Sequence, residues 1–355
     1  MTKGRGDNSR PATMKRNFVW MVLFALIAVL SILAVTAQSK SFSAADFWDY
    51  IQNANDAYIA LALLGMLGFV IFEGLAILTV CKALGYKKSI QSGWTYASVD
   101  IYFSAITPSA TGGQPACAWF MMRDGLPGSV SSAVLIINLV FYTFSILIIG
   151  AMAFLCAPGL FFGFSLLSKL LILIGYVALV ALGCFFILLL FREKILCTFA
   201  EQLVTLLAKL RIVRRPVERI EKLQASVGRY KACAVLILQN KKAMLTAFLL
   251  NFLQRASQIT VAVFAYLSVG GSLRQAFRVW LVQAYTVVGS NCVPIPGAMG
   301  VSDYLLFDGL GNMMSDAGAV NLELLTRALS FYSMILICGI TVLAKCMHMK
   351  QNKDR

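Results

Sequence analysis

Six stretches of roughly twenty or more largely apolar residues recur along this chain, at 18–37, 57–80, 130–156, 169–191, 243–269 and 321–345. A helix rises about 1.5 Å per residue and a bilayer's hydrocarbon core is about 30 Å thick, so each stretch is long enough to cross a membrane. Lipid offers no partner to backbone N–H and C=O groups, and a helix satisfies its own. The pattern therefore predicts an all-α polytopic membrane protein with about six full transmembrane helices. Composition agrees: 59% of residues are hydrophobic and only 13% are charged. That excludes an ordinary soluble enzyme, a disordered chain and a collagen-like fibre. The apolar core of 18–37 is too long for a signal peptide and reads as an uncleaved anchor.

The net charge of +15 could suggest nucleic acid. The basic residues, however, sit in short stretches between the apolar runs, the pattern of cytoplasmic loops, and no nucleic-acid partner is expected. Lys3, Arg5, Arg10, Lys15 and Arg16 precede the first run and place the N-terminus inside. The 38–56 loop carries Lys40 against Asp46, Asp49 and Asp56 and reads as outside. Lys82, Lys87 and Lys88 follow the second run and read as inside, and the uncharged 156–168 loop as outside. Segment 192–242 holds twelve Lys/Arg against four Glu and reads as a cytoplasmic helical segment, either a solvated loop or an interfacial helix on anionic headgroups. Arg274 and Arg278 depart from the alternation. The organisation expected is a basic cytoplasmic N-terminus at 1–16, a membrane domain at 17–347 and a cytoplasmic tail at 348–355.

Two regions, 89–128 and 272–318, are apolar but too polar for a lipid-facing helix, and each is broken at its centre. The first breaks at Thr107-Pro108-Ser109-Ala110-Thr111-Gly112-Gly113-Gln114-Pro115, the second from Ser290 to Gly300 through Pro294, Pro296 and Gly297. Both open with Ser and an apolar residue and end in Asp-Gly-Leu, at 124–126 and 308–310. Unwound backbone at membrane depth survives only when buried in protein or lining a watery cavity. Three spans separate the two regions, an odd number, so they should enter from opposite faces as re-entrant hairpins of an inverted repeat. Their helix N-termini would then offer positive dipole ends to an anion near mid-membrane.

TPSATGGQP followed by Arg123-Asp124-Gly125, and later Pro294 to Gly300 with Asp303, resemble the transmembrane, flippase-like domain of the lysylphosphatidylglycerol synthase family, the membrane part of the bacterial multiple peptide resistance factor. The resemblance covers roughly 15–347. Ala298 stands where the family has a second glycine, and Asp303 where it has a glutamate. The resemblance implies a phospholipid flippase in the bacterial cell membrane, moving an aminoacylated phosphatidylglycerol or another lipid-linked species between leaflets and contributing to resistance against cationic antimicrobial peptides. It implies an anionic or aminoacylated phospholipid as partner, with a separately encoded synthase and a homo-oligomer as further possibilities. About ten residues follow the last apolar run, so the soluble aminoacyl-transfer domain of the two-domain relatives is expected to be absent.

An ionisable group in a span costs roughly 2.5–3.5 kcal/mol on insertion scales and calls for a partner or a task. Glu73, Asp100, Arg255, Asp303 and Arg327 are such groups. Asn251, Gln254, Arg255 and Gln258 share one helix face, which lines a cavity or packs on the hairpins. Static pairs such as Arg255 with Glu73 or Arg327 with Asp303 are one reading. The other has the arginines hold a lipid phosphate, whose geometry suits a guanidinium, and the acids hold a cationic headgroup or a proton. Arg123 fits either a topology marker or a phosphate contact. Thr107, Ser109 and Thr111 fit backbone capping better than substrate contact. The candidate substrate-binding set is thus Glu73, Asp100, Thr107, Ser109, Gly112, Gly113, Gln114, Arg123, Arg255, Pro294, Pro296, Gly297, Gly300, Asp303 and Arg327.

No catalytic residue, metal or cofactor is expected. The chain's single histidine, His348, lies in the tail; its nine cysteines form no CxxC pair; and no Walker A, HExxH or GxSxG motif occurs. The competing functions are an integral membrane lipid aminoacyl- or glycosyltransferase and a non-transporting partner of a separate synthase.

Overall fold

The computed structural model describes residues 44–107, 110–191, 233, 235–237 and 239–351. The span expected at 18–37, nearly all of the basic segment 192–242, and Ser109 of the candidate set lie outside the described residues. Helix dominates, and no strand occurs among the described residues.

In chain order the helices are α1 (Ala44–Gln52), α2 (Asp56–Ala83), α3 (Ile90–Ile106), α4 (Gly113–Arg123), α5 (Gly128–Cys156), α6 (Pro158–Gly163), α7 (Leu166–Phe191), α8 (Lys241–Ser268), α9 (Leu273–Ser290), α10 (Val301–Gly311), α11 (Asp316–Arg327) and α12 (Ser333–Gln351). A π-helical turn at Ala328–Tyr332 joins α11 to α12. Among the described residues, five stretches are long and apolar enough to cross a membrane: Asp56–Ala83, Gly128–Cys156, Leu166–Leu188, Lys241–Ser268 and Asp316–Met349. The chain is an all-α polytopic membrane protein. The last span differs from its expected bounds. Its helix begins at Asp316, so Arg327 sits inside it, one residue before the π turn, rather than at its opening. The expected outer loops carry α1 and α6.

Local chemistry sets the ends. Side chains of Asn55, Ser89, Asn240, Ser272 and Ser315 each accept a backbone N–H in the first turn of the helix that follows. Asp56 in the first turn of α2 and Lys82 in its last complement the helix dipole.

α2 and α8 form the central antiparallel pair. The Asn55 N–H donates to the Ser268 carbonyl at 2.7 Å at one end, and Gln254 Nε2 donates to Glu73 Oε2 at 2.8 Å further along. Gly65 and Gly68 bring α2 against Ser257 of α8, the small-residue contact that lets membrane helices approach. α5 joins through Asn251 Nδ2, which donates to Asn138 Oδ1 at 2.9 Å.

The two broken regions are helical hairpins. α3 and α4 hold 17 and 11 residues, α9 and α10 18 and 11, all short of the ~20 needed to span. The first hairpin returns to where it began. Asp124, just past α4, pairs with Lys88 at 3.4 Å and accepts from the Ser92 and Tyr96 hydroxyls near the start of α3. In the second, Gly309 of α10 packs on Val282 of α9. One hairpin departs from the Ala83 end of α2 and the other from the Ser268 end of α8. Because α2 and α8 are antiparallel, these are opposite ends of the bundle. Two large buried clusters fill the interior, and the outer face of α7 (Leu166, Leu170, Ile174, Val177) is left apolar and exposed, as hydrocarbon requires.

Candidate functional site

Both breaks open into one cavity of about 510 Å³. Its wall mixes polar side chains from α2, α3, α5, α8 and α9 with Leu139, Leu182, Phe186 and Ile335.

The first break is shaped by its small residues. Thr107 Oγ donates to the Phe103 carbonyl at 2.6 Å and accepts the Gly112 N–H at 2.9 Å, the capping role the sequence favoured for it. A Cβ at Gly113 would stand 2.0 Å from Ser104 Oγ and 2.2 Å from Asp100 Oδ1, so only glycine lets α4 start this close to α3. Asp100 therefore lies against the opening turn of α4, where Gln114 Nε2 donates to its Oδ2 at 2.7 Å.

The second break follows Pro294 and Pro296 and turns through the left-handed region at Gly297 (φ 60), Ala298 (φ 49) and Gly300 (φ 79). A Cβ at Gly297 would overlap the Phe331 ring at 2.3 Å. The Gly300 N–H donates to Asp303 Oδ2 at 2.8 Å. Each short return helix thus meets a carboxylate of this chain at its N-terminus, Asp100 at α4 and Asp303 at α10. The sequence expectation had left those helix ends open to an external anion.

The two arginines are held differently. Arg327 Nε pairs with Asp303 at 3.1 Å, Nη1 donates to Ser302 Oγ at 2.9 Å, Nη2 donates to the Gly297 carbonyl at 3.1 Å, and the Phe331 ring lies 4.7 Å from Cζ. It braces the second break from α11. Arg255 has 8% exposure and, among the described residues, no carboxylate within 4.0 Å. Its Nη1 donates to Gln258, its Cζ lies 3.9 Å from the Tyr142 ring centroid, and its Nε has no partner. Of the two static pairs anticipated, Arg327–Asp303 forms and Arg255–Glu73 does not.

Of the candidate set, Glu73, Asp100, Gln114, Arg255, Gly297 and Arg327 line the cavity. Thr107, Gly112, Gly113, Pro294, Pro296, Gly300 and Asp303 build the two breaks around it. Arg123 lies elsewhere, exposed beyond the first hairpin with its guanidinium 5.0 Å from the Trp119 ring. Sequence reasoning missed Tyr142, whose hydroxyl donates to Asn291 Oδ1 at 2.8 Å, because an aromatic in an apolar run carries no signal. It also missed Glu323, 1% exposed behind Arg327 with Oε2 unpartnered, although an acid inside an expected span was a signal at hand.

Antiparallel spanning helices, two opposed broken hairpins and a shared mixed-polarity cavity define a polytopic membrane protein with a candidate site among its helices. The family model of the lysylphosphatidylglycerol synthase TM region matches residues 20–338, and the chain belongs to that family. It is also 25% identical over 308 residues to the UPF0104 membrane protein PH1989 of Pyrococcus horikoshii, covering 82% of this chain and 88% of that protein.

Proposed function

We propose that the protein moves an aminoacylated phosphatidylglycerol, or another lipid with a phosphodiester headgroup, between the leaflets of the cell membrane. The observation that carries this reading is Arg255: a buried guanidinium facing a 510 Å³ cavity with no carboxylate in ion-pair reach. A buried guanidinium in no direct ion pair keeps donor capacity open toward the cavity, and a phosphodiester fills it in a geometry a guanidinium matches. The opposed hairpins support an inverted repeat in which either leaflet gains access to the same site by rocking of one half against the other. Leu139, Leu182, Phe186 and Ile335 give acyl chains an apolar wall beside that headgroup site. The test is leaflet exchange in proteoliposomes, read by a membrane-impermeant amine reagent on lysyl-phosphatidylglycerol placed initially in the inner leaflet. Exposure faster than in protein-free vesicles is expected. Equal rates would overturn the reading.

A further inference from the structure

Beside Arg255 the cavity holds two carboxyl groups, Glu73 of α2 and Asp100 of α3, each 5% exposed and within hydrogen-bonding reach of each other. Gln254 donates to the first and Gln114 to the second, so each carboxyl also has a fixed neutral donor. Two unpartnered polar atoms stand in the same pocket, Arg255 Nε and Gln254 Oε1, on side chains 8% and 2% exposed. Among the described residues, the other titratable groups facing this cluster are Cys117 of α4, Tyr142 of α5 and Cys338 of α12, all of types that are neutral near pH 7 when unperturbed. At the other side of the cavity Arg327 is engaged by Asp303, Ser302 and the Gly297 carbonyl, with Glu323 buried behind it.

Charge inside the pocket balances when the two carboxyls share one proton. Two carboxyls in mutual hydrogen-bonding contact and out of water hold one proton between them, since neighbouring like charges do not both ionise there. One negative charge on the pair and one positive charge on Arg255 sum to zero. A phosphodiester whose headgroup carries no amine, as in phosphatidylglycerol, brings one further negative charge into the same dry volume. The low-cost way to restore neutrality is a second proton on the pair.

We propose that Glu73 and Asp100 form a proton-loading site, and that the pocket takes up one proton from water with each phosphodiester anion bound at Arg255. The inference rests on the reading of Arg255 as the headgroup site, and it supplies that site with a driving force, because a lipid carried together with a proton can be moved by a proton gradient. The proton enters as the anion arrives, converts the remaining carboxylate to a carboxylic acid, and leaves when the anion does.

The experiment is isothermal titration of the full chain in detergent in two buffers of unlike ionisation enthalpy, the difference giving protons bound per anion. One probe is dihexanoylphosphatidylglycerol; the other is dimethyl phosphate, which shares the phosphodiester without the lipid. Both stay monoanionic across pH 5–8, so any proton taken up is the protein's. The expected result is uptake of about one proton per lipid bound, with affinity rising up to about tenfold per pH unit on acidification. Glu73→Gln and Asp100→Asn, each holding a neutral isostere, are expected to abolish the uptake and flatten the pH dependence while still binding the probe. Two such variants guard against one failing to fold. Equal proton uptake with dimethyl phosphate assigns the coupling to the phosphodiester; uptake with the lipid alone assigns it to the whole headgroup, and both support the proposal. Lipid binding without proton uptake overturns it and leaves lipid translocation standing. Failure of both probes to bind, with leaflet exchange intact, overturns it as well, whereas loss of exchange itself is the failure of the functional reading.

Discussion

Arg327 reaches three residues of the second break at once, Asp303 and Ser302 of α10 and the Gly297 carbonyl of the turn before it. A lysine keeps the charge but not the fork. Arg327→Lys is therefore expected to lower stability by about 2 kcal/mol, read as thermal melting in detergent. Among the described residues, Arg255 has only Gln258 as a hydrogen-bond partner and an aromatic face beneath it, both of which an ammonium also satisfies. Arg255→Lys is expected to melt near wild type and to slow leaflet exchange by about tenfold through loss of bidentate phosphate contact. Normal exchange by that variant would remove Arg255 from the headgroup site. Ala298 is a separate case, since its φ of 49 lies in the region that penalises a Cβ. Ala298→Gly is expected to raise stability by up to about 1 kcal/mol, and a drop in melting temperature would show that the methyl group packs.

At the scale of elements, the hairpins depend on close approach and on a clasp. Gly175 of α7 meets the backbone of α9, where a Cβ would lie 2.3 Å from the Val288 carbonyl oxygen. Backbone cannot rotate away as a side chain can, so Gly175→Ala is expected to cost about 1–3 kcal/mol and to loosen the second hairpin. The first hairpin is clasped at its open end by Asp124. Burial raises the pKa of this carboxyl, but the hydrogen bond from Tyr96 and the charge and hydrogen bond of Lys88 outweigh it, and the pKa lies below the usual carboxylate range. A folded-state pKa depressed in this way contributes stability that is complete above the unfolded value of about 3.9 and is lost as pH falls through the folded value. Asp124→Asn is accordingly expected to melt below wild type at pH 7, with the gap narrowing as the solution is acidified below about pH 4. A gap independent of pH would mean that Asp124 acts by shape alone.

For the whole molecule, the decisive geometry is that two hairpins leave opposite ends of the antiparallel α2–α8 pair and meet at one cavity. Cysteines placed at the exposed positions Gly128, beyond α4, and Gly311, at the end of α10, are expected to react with an impermeant maleimide from opposite faces of a vesicle. Labelling of both from one face would contradict the inverted arrangement.

The membrane class, the positions of the described spans, the two breaks and the family were legible in the chain, because each is written in consecutive residues. Twenty apolar residues must be helical in lipid, and proline with glycine must interrupt a helix, whatever surrounds them. Glu73, Asp100, Arg255 and Arg327 were legible as costly residues for the same reason. Their partners were not. Asp303 claims Arg327, and Arg255 is left facing the cavity, because of how α8, α10 and α11 approach one another in space. Sequence spacing carries no information about that approach. The contribution of Tyr142 under Arg255, and the meeting of Glu73 with Asp100 across two helices, were likewise decided only when packing brought distant segments within a few ångströms.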